Sequence, residues 1–314
     1  MTVTFDDILA ARQRLQPYLT PTPLEYAPDL GTSVYLKLEN TNRTHSFKVR
    51  GALNAILSLD ESSRERGIVT ASSGNHAQGV SYAASLAEVD ATILMPRGTP
   101  QKKVKGSQRW GAAVMLTGDN YDETEARGRQ IEQEEGRTFI SAYNDPKVIA
   151  GAGTVGLEIV EQLPEVGRVV VCVSGGGLIS GVGLAVRHLR PGCQVIGVNA
   201  ESAPAMANYF YGTHKPQVWD TLAEALSGDI EAGSITLGLA RQVVDEMVLV
   251  SEEEIAEAMR FMLGTQGWLV EGGGCVGVAA WLAGRIPHDD TPTAIVISGG
   301  NVDLSNLRKV LCAG

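Results

Sequence analysis

From residue 68 to its end the chain alternates short apolar runs with helical patterns, and nothing else in the sequence limits the fold as much. Apolar runs at 68–71, 92–95 and 114–117 are each followed by a helical segment. A second series, at 169–173, 195–198, 247–250 and 294–297, begins after Arg168. Strands that alternate with helices argue for a parallel sheet with helices packed on its faces, since a parallel neighbour needs a crossover long enough to hold a helix. The uncharged run 169–186 approaches the roughly 18 residues of a membrane span. It contains five glycines and a serine-glycine break, so strand, loop and buried helix describe it better. Upstream, 5–16 reads as an amphipathic helix, Thr20-Pro21-Thr22-Pro23 as a turn, and 34–38 as an alternating strand. The helix at 252–263 follows a Ser251/Glu254 capping box. The fold class is α/β: two units, each a mostly parallel sheet with flanking helices, with the site at strand carboxyl ends.

Composition narrows the function. The 314 residues are 44% hydrophobic and 20% charged, a globular balance. A formal net charge of −10 without a basic run argues against nucleic acid or an anionic membrane as partner. With only 5% aromatic residues, a base-stacking platform is equally poorly served. Cys172, Cys193, Cys275 and Cys312 show no CxxC spacing and read as buried thiols of a reducing compartment. The first residues, MTVTFDDILAAR, place acids before any apolar run, unlike a secretory signal, so a cytoplasmic location is expected.

Four stretches carry chemistry. In Thr44-His45-Ser46-Phe47-Lys48-Val49-Arg50-Gly51-Ala52 a lysine stands where a helix begins, with Val49, Leu53, Ile56 and Leu57 as its apolar stripe and Ser46 as its expected N-cap. The positive end of a helix dipole favours a neutral amine, the form that condenses with an aldehyde. Ala71-Ser72-Ser73-Gly74-Asn75-His76-Ala77-Gln78-Gly79 takes a strand through a polar turn into a helix, which offers main-chain amides to a carboxylate. It also reads as a plain loop whose serine and asparagine cap the helix. Val173-Ser174-Gly175-Gly176-Gly177-Leu178-Ile179-Ser180-Gly181 lets the backbone approach a phosphate closely. A dinucleotide loop competes here, with Gly175 and Gly177 in place, Ser180 where a third glycine belongs, and Glu201 at a ribose-binding distance. Ile297-Ser298-Gly299-Gly300-Asn301 ends an apolar strand on a hydroxyl that suits a ring nitrogen.

Together these stretches resemble the fold type II pyridoxal-phosphate enzymes (tryptophan synthase β-like), in particular the threonine/serine dehydratase and serine racemase group. SFKVRGA, SSGNHAQG, VIAGAGT at 148–154, SGGGLISG, EGGG at 271–274 and SGGN occur in the family's order over nearly the whole chain. The resemblance implies pyridoxal 5'-phosphate as cofactor, bonded by Lys48 beside Phe47. It implies Ser174, Gly175, Gly176, Gly177 and Leu178 around its phosphate, Asn75 at its phenolic oxygen and Ser298 at its ring nitrogen. Ser72, Ser73, Gly74, Asn75 and His76 would bind the substrate carboxylate. It further implies a large domain of 1–52 and 146–314, a small domain of 53–145, and a homodimer acting on a small amino acid. The activity implied is an ammonia-lyase that turns a β-hydroxy amino acid such as L-threonine or L-serine into a 2-oxo acid and ammonia.

Ser73 keeps a second activity open. The group's threonine dehydratases commonly have alanine there, whereas its racemases have serine on the cofactor face opposite the lysine. Two acid/base groups on opposite faces, Lys48 and Ser73, are what racemisation requires. A serine- or aspartate-type racemase and a hydroxyaspartate- or hydroxyectoine-pathway dehydratase are therefore the alternatives. His45 replaces a usual small residue and Ala152 a usual glutamine. Asn199 and Ala205 stand where the family's divalent-cation ligands lie, so no metal is expected there. With SGGN so near the last residue, no regulatory domain is expected.

Overall fold

The structure, a computed structural model, describes residues 2–312. The chain forms two compact units, Met1–Thr20 with Lys48–Ala152, and Pro21–Phe47 with Gly153–Gly314. Elements are numbered along the whole chain.

The first unit holds α1 (Phe5–Leu15), α2 (Lys48–Leu57), α3 (Glu61–Arg66), α4 (Asn75–Ala87), α5 (Gln101–Gln108) and α6 (Tyr121–Glu135). Its strands are β3 (Ile68–Ala71), β4 (Ala91–Met95), β5 (Ala113–Leu116) and β6 (Thr138–Phe139), in the order β5-β4-β3-β6 with every pair parallel. α1 starts on a Thr4/Asp7 capping box that satisfies two otherwise orphaned amides. The α2 stripe is buried as expected: Val49, Leu53 and Ile56 are inaccessible. Each such side chain contributes about 1.5–3 kcal/mol when it leaves water. Leu53 and Ile56 join one core with Ile68, Ala77, Val80, Ala83 and Ile93, where α2 packs on α4 over the sheet. Ser46 is not the N-cap of α2. It forms an isolated bridge with Gly299, and its buried hydroxyl has no partner among the described residues, because α2 begins two residues later.

The second unit holds β1 (Leu24–Tyr26), β2 (Val34–Leu38), β7 (Arg168–Cys172), β8 (Gln194–Ala200), β9 (Glu246–Val250) and β10 (Thr293–Ile297), in the order β1-β2-β10-β7-β8-β9. Only β1 and β2 pair antiparallel. Helix α7 (Pro146–Gln162) contains the division at 152/153. Helices α8 (Gly177–Leu189), α9 (Ala205–Tyr211), α10 (Ile235–Val243), α11 (Glu252–Gly264), α12 (Val276–Leu282) and α13 (Leu304–Cys312) complete this unit. β7 and β10 are buried along their whole lengths, which is why they read as continuous apolar runs.

Two side chains depart from the pattern. Lys37, the polar phase of alternating β2, is fully buried rather than solvated. Its Nζ donates to Glu158 Oε2 at 2.6 Å, Thr22 O at 2.7 Å and Gln162 Oε1 at 2.9 Å, which compensates the lost hydration. Of the four cysteines, all free thiols, three are buried but Cys312 is exposed, because α13 buries only Val310. Among the described residues no helix is long and apolar enough to cross a membrane.

Candidate active site

Three of the four stretches lie at carboxyl ends of parallel strands, where main-chain amides turn outward into a following loop or helix. Residues 72–74 link β3 to α4, 173–176 link β7 to α8, and Ser298 follows β10. The first unit carries Lys48, Ser72, Ser73, Gly74, Asn75 and His76. The second carries Phe47, Ser174, Gly175, Gly176, Gly177, Leu178 and Ser298.

The chain itself ties Lys48 to the turn after β10. Phe47 N–H donates to Ser298 O at 3.0 Å, Gly300 N–H to His45 O at 2.9 Å, and Asn301 Nδ2 to Thr44 O at 2.8 Å. Lys48 is the next residue, one trans peptide (about 3.8 Å between Cα atoms) beyond Phe47. The EGGG stretch supports this turn from the other side, with Ser298 N–H donating to Gly274 O and Glu271 N–H to Gly299 O. The Ser298 side chain is buried, and its hydroxyl makes no hydrogen bond among the described residues. His45 adopts φ +56, a left-handed conformation that non-glycine residues seldom take. Its amide donates to Asn42 O at 2.7 Å, so both of its main-chain groups are held and the exposed imidazole projects from a fixed backbone.

The loop before α8 has the features of a phosphate cradle. The amides of 174–178 have no acceptor among the described residues, and those of Gly177 and Leu178 open a helix of 13 residues. Ser180 Oγ, in the first turn, is buried without a partner among the described residues. Gly176 sits at φ +86, and a Cβ there would lie 2.6 Å from Met206 Cε and 3.1 Å from Thr236 Cβ. These unsatisfied donors suit an anion with several acceptor oxygens, so the residues present fit a cofactor phosphate. Asn199, a residue expected to mark a lost cation site, uses its amide on the protein. Its Nδ2 donates to Val173 O at 2.8 Å and Ala203 O at 3.0 Å, and its Oδ1 accepts from Ala207 N–H at 3.0 Å.

The turn before α4 is built differently. Gly74 occupies the N-cap with no side-chain cap bond, so neither Ser72 nor Asn75 caps this helix. Ser72 Oγ accepts from Gly74 N–H at 3.2 Å, while the half-buried Ser73 hydroxyl has no partner among the described residues. The His76 side chain is buried and its Nε2 lies 3.0 Å from Ile140 O, an acceptor to which the ring must present an N–H. Burial, with the nearby Lys48 charge, pushes its pKa down to about 3 against the bond to Ile140, so the ring is neutral. Lys48 Nζ donates to Ala142 O at 2.9 Å. Sequence reasoning missed Thr70, Ile140 and Ala142, because a carbonyl acceptor has no side-chain signature and only the topology brings 140–142 beside β3.

The chain was compared with known proteins. The family described as "Pyridoxal-phosphate dependent enzyme" matches residues 15–299. The L-threonine ammonia-lyase of Thermotoga maritima is 43% identical over 99% of this chain and 79% of its own length. The catabolic L-threonine dehydratase of Escherichia coli is 40% identical over 99% of this chain and 96% of its own. The structure of maize serine racemase superposes with a TM-score of 0.91 at 31% identity, covering 100% of this chain and 98% of that one.

Proposed function

We propose, from the premise that this chain belongs to the pyridoxal-phosphate dependent enzyme family, that it is an ammonia-lyase converting a β-hydroxy amino acid such as L-threonine or L-serine to a 2-oxo acid and ammonium. Pyridoxal phosphate, when bound, supplies the electron sink for a substrate that loses its Cα proton. Residues 174–178 would hold its phosphate, Asn75 its phenolic oxygen, Ser298 its ring nitrogen and Lys48 its aldehyde carbon. Residues 72–76 would bind and orient the substrate carboxylate at the positive end of α4. Lys48, as a free amine, takes the Cα proton. A neutral hydroxyl at Ser298 does not hold a ring nitrogen protonated as a carboxylate would, which favours prompt loss of the β-hydroxyl over transamination. The pairing of a lysine-headed α2 with the Phe47–Ser298 hydrogen bond one residue earlier carries this reading. It is supported by two relatives, over nearly the whole chain, whose names state threonine ammonia-lyase or dehydratase activity.

Ser73 sustains a second reading, an amino-acid racemase with lyase side activity, because its half-buried hydroxyl, without a partner among the described residues, would act as the second acid/base group beside Lys48. A dehydratase of the hydroxyaspartate or hydroxyectoine type is a third. A cytoplasmic homodimer with a small domain of 53–145, against 1–52 and 146–314, belongs to the same proposal.

The test is ammonium release from L-threonine, L-serine and hydroxyaspartate, with pyruvate and D-serine both followed on L-serine. Lys48→Ala is expected to lose the long-wavelength cofactor absorbance and to bring ammonium release down to background. Full turnover in that variant refutes the assignment of Lys48. D-serine formation in excess of pyruvate replaces the lyase reading with the racemase.

A further inference from the structure

We infer that the segment 140–142 is a fixed acceptor rail that holds the Lys48 amine in place, and that the His76 imidazole positions Lys48 through that rail. The inference rests on Lys48 being the reacting amine. Every group in it belongs to the first unit.

The rail is held at Ile140. Ile140 N–H donates to Val69 O at 2.9 Å, which continues the β3 pairing past the end of β6. Ile140 O accepts two side-chain donors, Thr70 Oγ1 at 2.7 Å and His76 Nε2 at 3.0 Å. Both donors are buried, Thr70 at 1% and His76 at 3% relative exposure, so neither bond competes with water. Just beyond, Ser141 Oγ accepts from Asn144 N–H at 3.0 Å and closes the turn. Ala142 O therefore projects from a main chain fixed on both sides, and it accepts Lys48 Nζ at 2.9 Å.

Helix α4 presses on the same lysine from its base. A Cβ at Gly79 would lie 3.0 Å from Lys48 C and 3.2 Å from Lys48 Cβ, so the helix reaches Lys48 only because residue 79 has no side chain. His76 is three residues earlier, on the same face of α4. One helix thus packs against the root of the lysine and also braces the rail that receives its tip. A lysine has a flexible four-carbon stem, and ordering it costs side-chain entropy. An amine that must be released and return as a base gains from a single fixed acceptor, since misplacement lowers the rate steeply. The neutral state of His76 fits this role, because an imidazolium would repel the ammonium that the rail accepts. His76 Nδ1 is buried without a partner among the described residues, so the ring's one hydrogen bond is the one to the rail.

The test uses the full-length chain in two forms. In protein freed of cofactor, the acetylation rate of Lys48 relative to the other lysines is read by peptide mass spectrometry. In the holoenzyme, kcat and KM are measured on L-threonine. His76→Leu, which removes the donor, is expected to raise Lys48 acetylation about fivefold and to lower kcat about tenfold with KM within about twofold. His76→Gln reaches about as far with an N–H and is expected to recover most of both effects. Thr70→Val, nearly isosteric, is expected to move both readouts in the same direction by about threefold, and it carries the test if the leucine variant does not fold. Unchanged Lys48 acetylation in folded His76→Leu or Thr70→Val protein overturns the inference. So does a glutamine variant as impaired as leucine, or a loss confined to KM. Failure of the Lys48 assignment is separate: it shows as turnover in Lys48→Ala, whereas acetylation reports only where the amine is held.

Discussion

Two strand-to-helix turns of this chain, 72–74 before α4 and 173–176 before α8, offer main-chain amides at a helix N-terminus by opposite means. The second depends on a residue without a side chain: Gly176 is at φ +86 with Met206 and Thr236 against the space a Cβ would fill. The first does not. Gly74 sits at φ −113, and a Cβ there would meet nothing within 4 Å. What the first turn has instead is a buried imidazole just after it, hydrogen-bonded to Ile140 O, whereas 174–178 contains no titratable side chain. Glycine content alone therefore does not rank anion loops. One turn is shaped by steric exclusion, while the other is followed by a buried, hydrogen-bonded side chain.

Substituting Gly176 tests this contrast most severely. Gly176→Ala must hold a Cβ in the left-handed region and displace Met206, at a cost of about 3 kcal/mol. Cofactor affinity, measured by titration of the cofactor-free protein, is then expected to fall roughly a hundredfold. A change of less than about threefold would show that the loop relaxes and that the steric account is wrong.

The next effect is on stability against pH and belongs to the first turn. His76 has a folded pKa of about 3 against 6.5 when unperturbed. Between these values the unfolded chain binds the extra proton, so stability is full above 6.5 and falls as the pH drops toward 3. Between pH 7 and pH 5 the loss from this one group is about 2 kcal/mol. Urea unfolding midpoints should show it, and His76→Gln should remove that part of the slope. Parallel pH profiles for the two proteins would break the assignment.

The smallest effect is expected at Gly74. Gly74→Ala should change stability by less than about 1 kcal/mol, in the stabilising direction, because alanine has less backbone freedom to lose. KM for the amino acid should stay within about twofold of wild type. A loss as large as that at Gly176 would mean that the two turns are alike after all.

How much of this was legible beforehand depends on the kind of interaction. The alternation of apolar runs and helical patterns located β3, β4, β5, β7, β8, β9 and β10 within a residue or two, because side-chain burial repeats with a local period. β1 and the two-residue β6 are too short to leave a period, and the sequence reading passed over them. The ordered motifs indicated the family and its cofactor, since the residue types that grip a phosphate or a carboxylate occupy consecutive positions. Some readings failed where a local rule met a distant partner. Ser46 suits an N-cap, yet the bridge to Gly299 takes its backbone elsewhere.

The sequence by itself determined the α/β class, the lysine at the head of a helix and the glycine-rich turns, all of which rest on neighbours within a few residues. Only the tertiary structure decided that Phe47 is bonded to Ser298, that His76 is neutral and turned to Ile140, and that Ala142 receives the amine of Lys48. Carbonyl acceptors and burial have no spelling in a residue string. They exist only after β3 and the 140–142 segment lie side by side, when losing water makes each remaining hydrogen bond compulsory.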